Sequence, residues 1–106
     1  MRVDRRGAVE TRPGAGARVF APARSVDKAR DAFADLKGDV SVVALDLGDL
    51  ASVRKGAAEI AASAPKIEIL INNAGVMAMP ERETVDGYEM QLGVNHLGHW
   101  TLTALL

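Results

Sequence analysis

The residues best suited to chemistry follow the most apolar segment of the chain. Asn72, Asn73, Ala74 and Gly75 come directly after Ile67–Ile71, whose β-branched residues predict a buried strand. Small Ala and Gly side chains let a ligand approach the backbone closely, and Asn side chains can hydrogen-bond a ligand or a neighbouring strand. On residue chemistry alone, an Asn-Gly type of turn without a ligand explains this segment equally well.

Two other sets of polar residues raise the question of a metal site. His96 and His99 are one helical turn apart, but two histidines without a nearby third ligand are weak evidence for a metal. Four carboxylates elsewhere in the chain could suggest paired catalytic carboxylates, but roles as helix caps and surface charges explain them more simply. These carboxylates are Asp46, Asp49, Glu81 and Glu83. We therefore predict no metal site.

Three apolar runs alternate with three segments of helical periodicity, and these elements must position the polar residues. Strands are predicted at Ala17–Ala21, closed by Pro22, and at Val40–Leu45 and Ile67–Ile71. A first helix is predicted from the N-cap Ser25 to the C-terminal pair Lys37-Gly38, and a second from the cap Asp49 to Pro65. A final helix is predicted from Asp86 or Gly87 to the C-terminus, and Gly93 and Gly98 within it indicate close packing or a bend.

This order of elements predicts an α/β fold with a doubly wound parallel sheet, because parallel strands need helical crossovers. Ligands of such sheets bind beyond the carboxyl ends of the strands. Arg24, Asp46-Leu47 and Asn72–Gly75 all follow predicted strands and should share that edge. We expect one domain over residues 1–106, in which residues 1–13 are irregular.

Composition excludes several classes of protein. With a net charge of −1, the chain has no general attraction to nucleic acid or to an anionic membrane. The chain has no cysteine, which excludes disulfides and thiolate zinc sites and is compatible with the reducing cytoplasm. No uninterrupted apolar run reaches the roughly 20 residues that a membrane helix needs. We expect a cytoplasmic protein.

Three pieces of the sequence, in matching order, resemble the short-chain dehydrogenase/reductase family. Asn72-Asn73-Ala74-Gly75 resembles the family's NNAG segment, and Asp46-Leu47 resembles the acidic residue and its neighbour after the third strand. Asn95-His96-Leu97-Gly98-His99 resembles the helix that carries the family's catalytic asparagine. From Ile69 to Leu106 the likeness is strongest to the retinol-dehydrogenase and protochlorophyllide-reductase type, and it covers about residues 14–106.

The resemblance implies a partial Rossmann-like sheet with the family's strands 2–4, without strand 1 or the C-terminal half. It also implies a nicotinamide dinucleotide as ligand. Asp46 would bind the adenine amino group and Leu47 would add apolar contact. Asn73, Ala74 and Gly75 would line the adenosine ribose. Asn95 would be the catalytic asparagine, whose helix orders a proton-relaying water, although a buried asparagine that stabilises a bent helix fits the same position.

Arg24 bears on the choice between NADP and NAD. It lies just after the Val19-Phe20 strand, where NADP-preferring members of the family carry a basic residue. A guanidinium there can bind a 2′-phosphate in bidentate fashion, and no acidic residue occupies that strand end to bind a free ribose diol. We therefore expect NADP rather than NAD. The alternative is a solvated arginine ahead of a helix cap.

Other parts of the family's pattern are not found in the sequence. The pair Gly14-x-Gly16 does not fit the pyrophosphate turn, because Val19 takes the third glycine's place and a strand follows. Proton transfer in the family uses a Ser and a Tyr-x-x-x-Lys in which the Tyr donates the proton, but Tyr88 is followed four residues later by Leu92. We expect an incomplete form of a carbonyl or alcohol oxidoreductase that is inactive alone and binds its cofactor weakly.

Two other functions stay open at this stage. A non-catalytic interaction module could pair with a full-length relative, or with a second copy, through the apolar final helix that ends at Leu106. An unrelated Rossmann-like methyltransferase is a second alternative, against which the Asn72–Gly75 and Asn95–His99 segments argue.

Overall fold

The computed structural model describes residues 16–106. Two strands, β1 (Arg18–Ala23) and β2 (Asp39–Ala44), alternate with two helices, α1 (Val26–Phe33) and α2 (Leu50–Ser63). A final helical region joins a short α-helical turn, α3 (Met90–Leu92), to a π-helical segment at Gly93–Gly98 and to α4 (His99–Leu105). The expected irregular N-terminus, residues 1–13, lies outside the described residues.

The two strands pair in parallel, as the sequence order predicts. Their register runs from Arg18 opposite Asp39 to Ala23 opposite Ala44. The strand was predicted to close at Pro22, which was wrong, since β1 continues to Ala23. Ala23 O accepts a hydrogen bond from Leu45 N, and bonded residues alternate along a strand, so the Pro22 nitrogen points away from β2. A proline is tolerated there because no ladder donor is lost.

Local capping chemistry starts both crossover helices where the sequence predicts. Ser25 caps α1 by accepting a hydrogen bond from Lys28 N, and Asp49 caps α2 by accepting from Ala51 N and Ser52 N. Helix α2 ends just before Pro65, as predicted. Helix α1, however, ends at Phe33 and not at Lys37, because the chain turns after Phe33 and reaches β2 through Gly38, at φ 110°.

The core lies where α2 and α4 meet the end of β2. Its buried members are Leu45, Val53, Ala57 and Leu102, with Leu47 packed against them. Gly56 allows this packing, since a Cβ on it would lie 2.7 Å from Leu45 Cδ1. The final helix is therefore joined to the sheet through α2.

The predicted strand at residues 67–71 does not form within the described residues. The sheet has two strands, and Ile69 and Ile71 remain 59% and 51% exposed. The apolar pattern shows only that this segment suits a sheet. A strand also needs a neighbour whose backbone groups can pair with its own, and β1 does not supply one to this segment.

The final helix begins at Met90 and not at Asp86 or Gly87 as predicted. Gly87 is in a turn at φ 83°, and Glu89 caps the helix by accepting from Gln91 N and Leu92 N. The two internal glycines do mark close packing. A Cβ on Gly93 would overlap the Thr84 side chain, and one on Gly98 would lie 2.5 Å from the Leu47 carbonyl oxygen.

Two acidic residues from distant parts of the chain hold the N-terminus of α2. Asp49 caps it locally, and Asp86 Oδ2 accepts a hydrogen bond from Leu50 N at 2.9 Å. We predict that Asp49→Ala and Asp86→Ala each lower the free energy of unfolding by about 1 kcal/mol, because each leaves helix N–H donors without an acceptor. Urea unfolding followed by circular dichroism measures the change.

Glu59→Ala is the matched control. Glu59 is exposed within α2, away from its first turn, and its side chain forms no hydrogen bond with residues 16–106. Its removal should cost less than about 0.5 kcal/mol. Equal losses in all three variants would contradict the specific capping roles.

Candidate functional site

Arg24 and Asp46 both follow the carboxyl ends of the paired strands, Arg24 directly after β1 and Asp46 two residues after β2. The hydrogen bond from Leu45 N to Ala23 O is the last between these chain segments, and Arg24 and Asp46 are the next residues along each. The Arg24 side chain is exposed and forms no ion pair or hydrogen bond with residues 16–106. The same edge of the sheet therefore carries an unengaged guanidinium at Arg24 and a half-buried carboxylate at Asp46.

Asp46 is held in a tight turn that uses only one of its carboxylate oxygens. Oδ1 accepts a hydrogen bond from Gly48 N at 2.8 Å, and Asp46 N donates to Ser52 Oγ of α2 at 2.9 Å. Oδ2 has no hydrogen-bond partner in residues 16–106. The turn thus fixes the carboxylate and leaves one acceptor oxygen available to a ligand.

Residues that sequence reasoning missed support this turn from the other side. Val85 N donates to Gly48 O at 3.1 Å, and Asp86 accepts from Leu50 N. Thr84 is buried against Gly93, and its hydroxyl accepts from Tyr88 N at 3.2 Å. The hydrogen bond between Leu50 and Asp86 joins residues 36 positions apart in the sequence. A local sequence pattern therefore does not predict it.

Asn95, the predicted catalytic asparagine, contacts the backbone of Val76 with both of its amide atoms. Its Oδ1 accepts from Val76 N at 2.8 Å, and its Nδ2 donates to Val76 O at 2.7 Å. Gly75 lies against the same side chain, since a Cβ there would be 3.3 Å from Asn95 Oδ1. The asparagine therefore holds the end of the Asn-Asn-Ala-Gly segment onto the helix.

His99, one helical turn after Asn95, contacts the start of that segment. Its Nε2 lies 2.7 Å from Ala74 O, and its Nδ1 lies 3.2 Å from Asn72 Oδ1. Asn72 also donates through Nδ2 to Thr103 Oγ1 at 3.1 Å. The spacing of four residues between Asn95 and His99 was the available signal, because such residues share one helix face.

The π-helical segment contacts both halves of the edge. Val94 lies against Gly48 and Gly98 against Leu47, while Asn95 holds Gly75 and Val76. Through this segment and His99, the final helix contacts Leu47 and Gly48 of the Asp46 turn and Ala74, Gly75 and Val76 of the Asn-Asn-Ala-Gly segment. Asn73 is exposed and forms no hydrogen bond within residues 16–106.

The described residues do not offer a metal site or a membrane helix. Among residues 16–106, no group of three His, Cys, Asp or Glu side chains is placed to hold a metal ion. None of the helices in that range is both long enough and apolar enough to cross a membrane. The edge can offer a guanidinium for an anion, a carboxylate oxygen for a donor, and closely approachable backbone.

Comparison with known proteins identifies one family model and several relatives that match most of this sequence. The family described as short chain dehydrogenase matches residues 6–106. Human retinol dehydrogenase 13 is 45% identical over 96 residues, which are 86% of this chain and 29% of the relative. The short-chain dehydrogenase/reductase prx1 of Penicillium roqueforti is 41% identical over 93 residues, which are 86% of this chain and 27% of the relative.

Solved structures also resemble this chain in fold and sequence. An uncharacterized protein from Mycobacterium Paratuberculosis matches with a TM-score of 0.83 and 45% identity, over 97% of this chain and 38% of that one. The RhlG/NADP active-site complex of Pseudomonas aeruginosa matches with a TM-score of 0.71 and 31% identity, over 87% of this chain and 38% of that one. The chain spans less than a third of the length of the two curated relatives described above. This chain belongs to the short chain dehydrogenase family.

Proposed function

We propose that this chain forms the adenosine-binding half of an NADP(H)-dependent oxidoreductase that interconverts carbonyl compounds and alcohols. The observation that carries the proposal is the pair Arg24 and Asp46 at the carboxyl edge, each with polar atoms unengaged by residues 16–106. The NADP complex of a relative supports the same cofactor class.

The residues at the edge fit the adenosine part of the cofactor. Asp46 Oδ2 would accept a hydrogen bond from the adenine amino group, while Oδ1 stays on Gly48. Leu47 would contact the base. Asn73, Ala74 and Gly75 would line the ribose, since a segment with small side chains admits close approach. Arg24 would bind the 2′-phosphate through two parallel N–H···O bonds.

NADPH, when bound in the whole protein, supplies a hydride to a carbonyl carbon. Asn95 is proposed as the catalytic asparagine. Both amide atoms of its side chain bond to Val76, so its part in the reaction would be to fix the helix near the cofactor. The proton for the carbonyl oxygen needs a donor, and the 106 residues contain no Tyr-x-x-x-Lys. We therefore propose that this chain alone binds the nucleotide weakly and does not catalyse the reduction of a carbonyl compound.

We also propose association through α4, with a second copy or with another member of the family, which the exposed side chains of Trp100 and Leu105 support. A cytoplasmic location is proposed from the absence of cysteine.

Arg24→Gln tests the assignment of the 2′-phosphate. We predict that it weakens binding of 2′,5′-ADP by about 10- to 100-fold, because charge-assisted hydrogen bonds are lost, and leaves binding of 5′-ADP nearly unchanged. Isothermal titration calorimetry of both ligands measures the two affinities. Arg30→Gln on α1 is the matched control and should affect neither ligand.

If Arg24→Gln weakens both ligands equally, or neither of them, the phosphate assignment is wrong. A wild-type chain that prefers 5′-ADP would likewise contradict the choice of NADP.

Asp46→Asn tests the adenine contact without removing the turn. An asparagine can still accept from Gly48 N through its Oδ1, but it presents an NH₂ group where Oδ2 was. We predict a shift of about tenfold in relative affinity from ADP towards inosine diphosphate, whose ring carbonyl accepts where adenine donates. An unchanged ratio of the two affinities, in a variant with wild-type stability, would contradict the contact.

A further inference from the structure

Both ring nitrogens of His99 face the segment Asn72–Gly75. Nε2 lies 2.7 Å from Ala74 O, and Nδ1 lies 3.2 Å from Asn72 Oδ1. A carbonyl oxygen can only accept, so Nε2 must carry a hydrogen. The ring thereby joins a side chain and a backbone group that are two residues apart.

Thr103 completes the arrangement from the next turn of α4. Its hydroxyl donates to His99 O at 2.8 Å, which uses its one hydrogen. The same hydroxyl oxygen must then accept from Asn72 Nδ2, at 3.1 Å. This donor order fixes the Asn72 amide with its oxygen towards His99.

Residues 69–73 need such support because they are exposed and have no strand partner within the described part of the chain. Asn95 holds Val76, but it leaves the preceding residues to other contacts. Among residues 16–106, the polar contacts of Asn72 and Ala74 are with His99 and Thr103. The position of Ala74, between Asn73 and Gly75, is therefore set by His99.

We propose that His99 is a positioning residue for nucleotide binding: it holds Asn73, Ala74 and Gly75 in the conformation that lines the ribose. This inference rests on the proposed adenosine site. It assigns the histidine no contact with the nucleotide and no step in the reaction.

Three variants of the 106-residue chain, titrated with 2′,5′-ADP, test the proposal. His99→Leu should weaken binding by about tenfold, since it removes the hydrogen bond from Nε2 to Ala74 O and the contact of the ring with Asn72. His99→Gln should stay within about threefold of wild type, because its amide NH₂ can donate to Ala74 O. His96→Leu is the matched control: His96 is exposed, and its side chain has no hydrogen bond within residues 16–106. Wild-type affinity in His99→Leu would overturn the proposal.

A second measurement needs neither a variant nor a ligand. ¹⁵N NMR of the wild-type histidine rings reports which nitrogen carries hydrogen. A hydrogen on Nε2 of His99 is expected, and a ring protonated on Nδ1 alone would overturn the arrangement. The Nδ1-only result would overturn the arrangement even if His99→Leu fails to fold.

Failure of the underlying nucleotide proposal can be recognised separately. If the wild-type chain does not bind 2′,5′-ADP, the adenosine site is wrong, and the positioning role is judged on backbone amide signals. Shifts at Asn73–Gly75 in His99→Leu, with the signals of α2 unchanged, would support the role of His99 in holding the segment. Unmoved signals at Asn73–Gly75 would overturn it.

Discussion

The two hydrogen bonds between the Asn95 side chain and the Val76 backbone connect the parts of this structure that would form the site. Residues 67–76 have no sheet neighbour within the described chain, so side chains of the final helix supply the bonds that a strand would normally find in a ladder. The helix in turn packs through Leu102 on the core residues Leu45 and Val53. The position of the Asn-Asn-Ala-Gly segment therefore depends on a side-chain contact and not on strand pairing.

The irregular geometry of the final helix fits this role. Asn95 lies in a π-helical segment, and such segments are frequent at functional sites. The two glycines of this segment allow the close approach of Thr84 on one side and Leu47 on the other. A helix of this shape can contact the Asp46 turn and the Asn72–Val76 segment together. The same contacts explain why residues far apart in sequence converge on one edge.

Features with a local physical cause could be predicted from the sequence. Ser25 and Asp49 cap their helices, Pro65 ends α2, and the alternation of strands and helices gives a parallel sheet. The prediction of a strand at residues 67–71 was wrong because a strand needs a neighbour to pair with, and the apolar pattern of the sequence does not specify one. The final helix begins after Asp86 because Asp86 accepts a hydrogen bond from Leu50, which lies 36 residues earlier in the sequence. The spacing of Asn95 and His99 places them on one helix face, but the partners of His99 depend on how the helix and the segment meet, which a local pattern does not record.

The proposed function requires that nucleotide binds at the carboxyl edge of the β1–β2 pair. NMR titration of the wild-type chain with 2′,5′-ADP, following every backbone amide, tests this claim most directly. The largest shifts should fall at Arg24, at residues 46–48 and at residues 73–75, with little change along the exposed face of α1. Shifts confined to other surfaces, or the absence of any saturable shift, would contradict it.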